Sequence, residues 1–310
     1  MSFYKEDNWQ SAIIHAPMKE IISDYGFGGC KVTLLPSEDD GCVLSDPFGL
    51  WRGDRLFIFV KAYNKHSFRS TIRVLVYDSA FTLLETAPAL EEEWNLGYPQ
   101  LFEHDGGIYM LPEAHASGRL SLYRAVNFPT EWEKVQGFEF PLSVVRGTMF
   151  YHAHRWWLFW SPADSVRRKE DTLHIAVAEE LTGVWADMGP FLTDRGGAVP
   201  GGTPLVTEGT VFLPVVQNRR TMGGGLRLLR FESFGGSKPL LVGGRSLDFP
   251  PSLATSYPDG MHTLSEAGPV SLIDVKKEIL SLDKPINLAK DLLRSGSRIL
   301  TEAARLVSDR

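Results

Sequence analysis

The chain has 310 residues, 43% of them hydrophobic, and a formal net charge of -6. That is enough apolar material for a large core, and too acidic a balance for a general nucleic-acid binder, which carries a basic surplus. No apolar stretch reaches the roughly 18 residues of a membrane span, and two cysteines, Cys30 and Cys42, supply neither a disulfide framework nor a zinc site of their own.

Twenty-nine glycines and 19 prolines are scattered among short apolar runs, so the chain reads as many strands and turns. The N-terminal "MSFYKEDNWQ" lacks the apolar core of a signal peptide, and the expected location is cytoplasmic. Two strand candidates follow, "NWQSAIIHAP" and "GCKVTLLPS", with no partner nearby. Then a pattern begins at Ser45: a small or polar start, an apolar strand, a turn, and a strongly apolar strand. It reads "SDPFGLWRGDRLFIFVKAY" and is followed by "TIRVLVYDS" and "LLETAPALEE".

The pattern returns four times. "GYPQLFEHDGGIYMLPEAH" from Gly97 leads to "GRLSLYRAV" and "EKVQGFEF". "RGTMFYHAHRWWLFWSPAD" from Arg146 leads to "DTLHIAVAEE" and "GVWADMGPFL". "GGTPLVTEGTVFLPVVQNR" from Gly201 leads to "GLRLLRFES" and "KPLLVGG". "MHTLSEAGPVSLIDVKKE" from Met261 has no outer strands after it. The starts recur about every 50–60 residues, near the spacing of four-stranded propeller blades. The unpartnered N-terminal strands complete the fifth blade and cover the edges an open sheet would expose. The expectation is an all-β fold, a five-bladed β-propeller over residues 1–275, in preference to a β-sandwich or two small β domains.

Residues 276–310 fall outside the repeat. "INLAKDLLRSGSRILTEAARLVSDR" places Leu288, Leu292, Leu293, Ile299, Leu300, Ala303, Leu306 and Val307 near one helical face, with Lys290, Arg294, Arg298 and Arg305 among the polar positions. An amphipathic helical tail is expected. It packs on the propeller or a partner, or lies on an anionic membrane through residues 286–310.

Inner strands of a propeller line its channel, so equivalent strand starts become neighbours. Here these are Asp46, Tyr98, Arg146 with Gly147, Gly202, and His262. Loops after the second strands add Lys61, Glu113, His115, Asp164, Gln217, Arg219 and Arg220. Such a polar cluster exceeds what packing requires. Asp46 and Glu113 are the candidate catalytic carboxylates. Tyr98, His115, Arg146, Gln217, Arg219, Arg220 and His262 are the candidate substrate-binding residues. Each has a bland counterpart: Asp46 as a turn residue before proline, Glu113 as a loop residue, His262 as a satisfied core histidine, Arg219 and Arg220 as solvated turn residues. No ligand spacing marks a metal site, and no cofactor is expected.

"YPQLFEHDGGIYMLPEA", "LYRAVNFPTEW", "RWWLFW" and "LTGVWADM" resemble the N-terminal propeller domain of plant glucosamine inositolphosphorylceramide transferases and its bacterial relatives. That family is similar in turn to the five-bladed propellers of glycoside hydrolase family 43, whose "DPF" matches Asp46. The resemblance covers roughly residues 8–275. It implies a general-base aspartate in blade one, a supporting aspartate in blade three and a general-acid glutamate in blade four. Asp46 matches the first. Arg146-Gly147 and Gly201-Gly202 stand at the other two, so two of the three hydrolase carboxylates are unmatched unless Glu113 or Glu266 replaces one.

Cleaving a glycosidic bond needs an acid for the leaving group and a second carboxylate. A sugar phosphate leaves without that acid, and needs positive charge and a base for the acceptor. Arg146, Arg219 and Arg220 suit the charge; Asp46 or Glu113 suits the base. The functional expectation is therefore an inverting glycosyltransferase of cell-surface polysaccharide or glycolipid assembly. Its donor is a nucleotide sugar or polyprenyl-phosphate sugar, with a furanose included by analogy, and its acceptor is a glycan or glycolipid. It would sit peripherally on the inner membrane face. The alternatives are a glycoside hydrolase such as an arabinofuranosidase, and a noncatalytic sugar-binding propeller.

Overall fold

The computed structural model describes residues 4–24, 26–37, 41–164, 168–219, 221–234 and 239–281. Residues 9–276 form one compact unit. Described residues 4–8 and 277–281 belong to a second unit, in which Lys5 Nζ pairs with Glu278 Oε2 at 2.6 Å.

The main unit carries five antiparallel sheets, one per blade. Blade one is Cys42–Arg52, Arg55–Asn64, Arg69–Tyr77 and Leu83–Leu90. Blade two is Gly97–His104, Gly107–Glu113, Tyr123–Asn127 and Glu131–Lys134. Blade three is Val144–His152, Arg155–Pro162, Thr172–Ala178 and Ala186–Thr193. In blade four, Val199–Pro200 and Leu205–Thr207 both pair with Thr210–Val216, followed by Leu226–Glu232 and Leu240–Ser246. Blade five is Gly260–Ala267 and Val270–Ser281, completed by the N-terminal Tyr4–Ile14 and Val32–Leu34. The expected five-bladed propeller and its closure by the N-terminal strands are thus what the chain adopts.

Three local expectations change. Blade two's fourth strand is Glu131–Lys134 rather than "EKVQGFEF", because the chain turns at Gly137 with φ 80°. The inner strand of blade four is broken at Gly202, which passes close to the Leu264 backbone. The segment expected as tail from 276 continues as strand to Ser281, and residues 282–310 lie outside the described residues.

The core fills the five gaps between adjacent blades. Phe48, Phe59 and Tyr98 pack between blades one and two. Leu111, Trp156 and Trp160 pack between two and three, and Trp157, Phe159 and Phe231 between three and four. Leu226, Met261 and Leu264 fill the gap from four to five, joined by Met18, Ile21 and Ile22 of the short helix Met18–Asp24. Ile13, Ile58 and Leu272 close the ring. Alternating apolar strands bury one face against each neighbouring blade, so the hydrophobic effect drives the stack around the ring.

Inner strands bulge where they enter the channel. Register shifts fall between Ser45 and Phe48, Gly97 and Gln100, Val145 and Thr148, and Met261 and Thr263. At the first three, the re-aimed residue is left-handed despite not being glycine: Asp46 at φ 52°, Tyr98 at 43° and Arg146 at 51°. This backbone is uncommon for such residues and marks sites where the fold imposes it.

Candidate functional site

Each bulge removes a backbone N–H from its ladder, and that donor then needs another partner. A side chain from an adjacent blade supplies it in two places, and a side chain of blade two meets the N–H left at the break in blade four. The Asp46 N–H donates to Asp274 Oδ2 at 2.9 Å. The Arg146 N–H donates to Glu113 Oε2 at 3.0 Å. The Gly202 N–H donates to the Tyr98 hydroxyl at 2.7 Å. The side chains converging on the channel are therefore held by the same irregularity that aims them.

At the centre lies Arg146, 9% exposed. Its Nη1 meets Asp46 Oδ1 at 3.0 Å, its Nε donates to Pro200 O at 2.7 Å, and its Nη2 donates to His262 O at 2.7 Å and Thr263 Oγ1 at 2.9 Å. Four of its five N–H groups are engaged. The guanidinium lies over the Tyr98 ring, 4.3 Å from its centroid. Tyr98 is fully buried, and its hydroxyl bonds Thr148 Oγ1 at 2.8 Å as well as Gly202. It is a strut beneath Arg146 rather than a residue facing a substrate. Burial pushes the Tyr98 hydroxyl up to about 12.

Burial alone would raise the Asp46 carboxyl, but Arg146, His262, Lys61 and the Thr263 hydrogen bond outweigh it and bring it down to about 2. Asp274, fully buried in blade five, ties this knot from below. Its Oδ1 accepts from the N–H groups of His262 and Thr263 and from His262 Nδ1 at 2.6 Å. The His262 ring stacks on Trp9 at 3.8 Å, with Nε2 3.6 Å from Asp46. Donor atoms of Asp46, His262 and Asp274 lie within 4.8 Å of one another, a spacing that would suit a cation. The guanidinium already holds Asp46 Oδ1, and three backbone N–H groups with the imidazole N–H hold the two Asp274 oxygens, so a cation would have to displace these donors.

Above the knot opens a cavity of about 280 Å³. Asp46, Arg146 and His262 reach it from the channel; Glu113 and His115 line it from the end of blade two. Lys61, Asn95, Glu170, Asn218 and Met222 complete its polar and outer wall. Glu113 Oε1 faces His115 Nδ1 at 3.0 Å, and the His115 side chain is 49% exposed. Burial pushes the Glu113 carboxyl up, and the hydrogen bond and charge of His115, with Lys61 and Arg146, together overcome that and hold it below the usual range. The Lys61 ammonium makes no hydrogen bond to another described residue and sits 5.9 Å from the Tyr63 ring centroid.

The structure thus brings together Asp46, Glu113, His115, Arg146 and His262. It does not bring Gln217 or Arg219. Gln217 Nε2 donates to Leu226 O and Ser246 Oγ, which pins the end of blade four. Arg219, 70% exposed, faces Asp194 at 4.0 Å. Arg220 lies outside the described residues. Glu266, raised by burial, is not among the cavity residues. Sequence reasoning missed Asp274, Thr263, Trp9, Glu170 and Asn218. For Asp274 a signal existed: a lone carboxylate between Ile273 and Val275 in an apolar strand has to be paired.

The family model described as "Glucosamine inositolphosphorylceramide transferase 1, N-terminal" matches residues 33–238. Glucosamine inositolphosphorylceramide transferase 1 of Oryza sativa subsp. indica is 32% identical over 199 residues, 61% of this chain and 26% of that protein. Its Arabidopsis thaliana counterpart is 30% identical over 175 residues, 54% of this chain and 23% of that protein. The chain therefore spans about a quarter of the length of these curated relatives. The solved α-L-arabinofuranosidase PaAbf62A of Podospora anserina aligns with a TM-score of 0.53 at 10% identity, over 78% of this chain and 93% of that one. At that identity the likeness is one of fold. With residues 33–238, more than half of the chain, inside the family model, the chain belongs to the glucosamine inositolphosphorylceramide transferase 1 N-terminal family.

Proposed function

We propose that the chain is a glycosyltransferase on a hydrolase-like propeller, moving a sugar from a phosphate-activated donor to a glycan or glycolipid acceptor with inversion. The observation that carries this reading is the pairing of the channel carboxylates: Asp46 Oδ1 with Arg146 Nη1, and Glu113 with the Arg146 N–H and His115, each at 3.0 Å. Asp46 is held at about 2 by its pairing with Arg146, and Glu113 below its usual range by His115. Neither keeps a proton at neutral pH. Hydrolysis of a glycoside needs a protonated acid for an alkoxide leaving group. A phosphate leaves as a stable anion and needs a cation beside it.

Arg146 was the expected phosphate ligand, but its guanidinium is spent on Asp46 and three other acceptors. Lys61 takes that role in this reading, since its ammonium reaches the same cavity with its donors uncommitted to another described residue. The names of the curated relatives, transferases acting on an inositolphosphorylceramide, support a lipid-linked acceptor. The donor is a nucleotide sugar or a polyprenyl-phosphate sugar, a furanose among them. Lys290, Arg294, Arg298 and Arg305 would hold the protein at the inner face of an anionic membrane.

The test is incubation with nucleotide sugars and polyprenyl-phosphate sugars, each with glycolipid and oligosaccharide acceptors, read by mass spectrometry. An acceptor that gains one sugar mass only when a donor is present supports the proposal. A second reading, a glycoside hydrolase, is favoured by Glu170, a third carboxylate lining the cavity. Release of aryl alcohol from aryl glycosides without donor, abolished by Glu170→Gln, would establish it instead.

A further inference from the structure

Glu113 has two commitments that together decide what its neighbour can do. One oxygen accepts the Arg146 backbone N–H freed by the bulge in blade three, at 3.0 Å. The other faces His115 Nδ1, also at 3.0 Å. An ionised carboxylate only accepts hydrogen bonds, so Nδ1 carries the proton. In the neutral ring the lone pair is then on Nε2. That nitrogen has no partner among the described residues, and His115 lines the cavity with half of its side-chain surface open.

The carboxylate is thus fixed by backbone and ring, whereas the imidazole is fixed on one side and open on the other. From this geometry we infer that His115, not Glu113 or Asp46, is the general base, and that Glu113 is its positioning residue. The inference rests on the transferase reading above and names the atom that takes the acceptor's proton. The acceptor oxygen attacks the anomeric carbon and the new C–O bond forms. The bond from that carbon to the donor phosphate oxygen breaks, and its electron pair leaves on the phosphate. The hydroxyl proton moves to His115 Nε2, and Glu113 balances the imidazolium until the proton passes to solvent.

Asp46 is excluded from this role by its partners. Arg146 Nη1 at 3.0 Å and Thr263 Oγ1 at 3.3 Å share its Oδ1, and the ion pair with Arg146 weakens the carboxylate as a proton acceptor. His262 is excluded by burial: its side chain is 13% exposed, stacked under Trp9, with Nε2 turned toward Asp46. The charged and titratable groups lining the cavity with His115 are Glu113 on its own blade, Asp46, Lys61 and Tyr63 from blade one, Arg146 and Glu170 from blade three, and His262 from blade five.

The experiment compares wild type, His115→Gln and Glu113→Gln in the transfer assay across pH, with near-UV circular dichroism as the check of fold. His115→Gln is expected to lower kcat by about 10²–10⁴-fold and to flatten the rise of kcat on the acid side. Glu113→Gln is expected to lower kcat less and to move that rise to lower pH, because the imidazolium loses its carboxylate. A purely structural Glu113 would change KM or stability and leave the profile where it was. Histidine-selective ¹⁵N NMR of the wild-type chain should show His115 protonated at Nδ1 and bare at Nε2 above its titration. The reverse tautomer overturns the assignment whatever the activity. A wild-type chain that transfers no sugar from any donor takes down the transferase reading and the base role with it. Wild-type transfer retained within about threefold by His115→Gln takes down the base role alone.

Discussion

Two carboxylate–histidine pairs meet at the same end of the channel, and they differ in one respect that decides their use. Asp274–His262 and Glu113–His115 are built alike: each carboxylate sits on the second strand of its blade, accepts the stray N–H of a bulge in the next blade, and holds an imidazole by Nδ1. The first pair is sealed. Asp274 is fully buried, and His262 is covered by Trp9 with its other nitrogen turned to Asp46. The second pair is open, with His115 half exposed on the cavity. The same hydrogen bond therefore makes a structural brace where water is excluded and a candidate base where it is not.

This contrast can be broken by mutation, and the largest effect falls on the sealed side. Asp46→Ala leaves Arg146 buried without its carboxylate and is expected to cost about 3–5 kcal/mol, read as a fall in the urea midpoint. Replacing both with apolar residues, Asp46→Leu with Arg146→Met, should recover much of that loss, because it is the stranded charge that costs. A double variant no more stable than the single one would show that the knot holds the fold by geometry rather than by charge.

Gly202→Ala tests the close passage of blade four. Its φ of 148° and a Cβ only 1.7 Å from Leu264 O leave no room. The backbone alone should cost about 1–3 kcal/mol, with the collision added, and a urea melt checks it. Next comes acid. Because the Asp46 carboxyl is depressed in the folded state, to about 2, its contribution to stability is present above about pH 4 and lost as pH falls toward 2. The loss is about 2 kcal/mol. Asp46→Asn should remove that part of the acid sensitivity in melts run from pH 5 to pH 2.

Smaller effects belong to the open side. Lys61→Met should raise KM for the phosphate donor about tenfold, with little change in the melting temperature, since the ammonium binds no other described residue. His115→Gln should shift stability by less than about 0.5 kcal/mol while lowering kcat by about 10²–10⁴-fold. A large stability loss from His115→Gln would make the two pairs equivalent, and the distinction drawn between them would fall.

The sequence carried the architecture in a readable form. The period of the starts at Ser45, Gly97, Arg146, Gly201 and Met261 located five inner hairpins, and the unpartnered "NWQSAIIHAP" located the closure. It also placed Asp46, Glu113, His115, Arg146 and His262 in one neighbourhood, because equivalent positions in a ring of repeats must converge. Strand ends were less legible. Arg219 and Gln217 follow a strand as His115 does, yet the loop after blade four turns them away, to Asp194 and to Leu226. Asp274 shows in the sequence only as a lone carboxylate in a core strand, and its partners reveal why it is tolerated there.

What the sequence determined by itself was the repeat, and with it the fold, since alternating apolar strands at a fixed period have few ways to bury their faces. What only the tertiary structure decided was the role of each polar residue. Hydrogen bonds saturate, and burial sets whether a group is bound by its neighbours or left to a ligand. Arg146 reads in sequence as a cation for phosphate; in the folded channel Asp46, Pro200, His262 and Thr263 take its donors. His115 reads as one polar residue among several, and the bulge in the neighbouring blade, by fixing Glu113, leaves it the one imidazole among the described cavity residues with an open nitrogen.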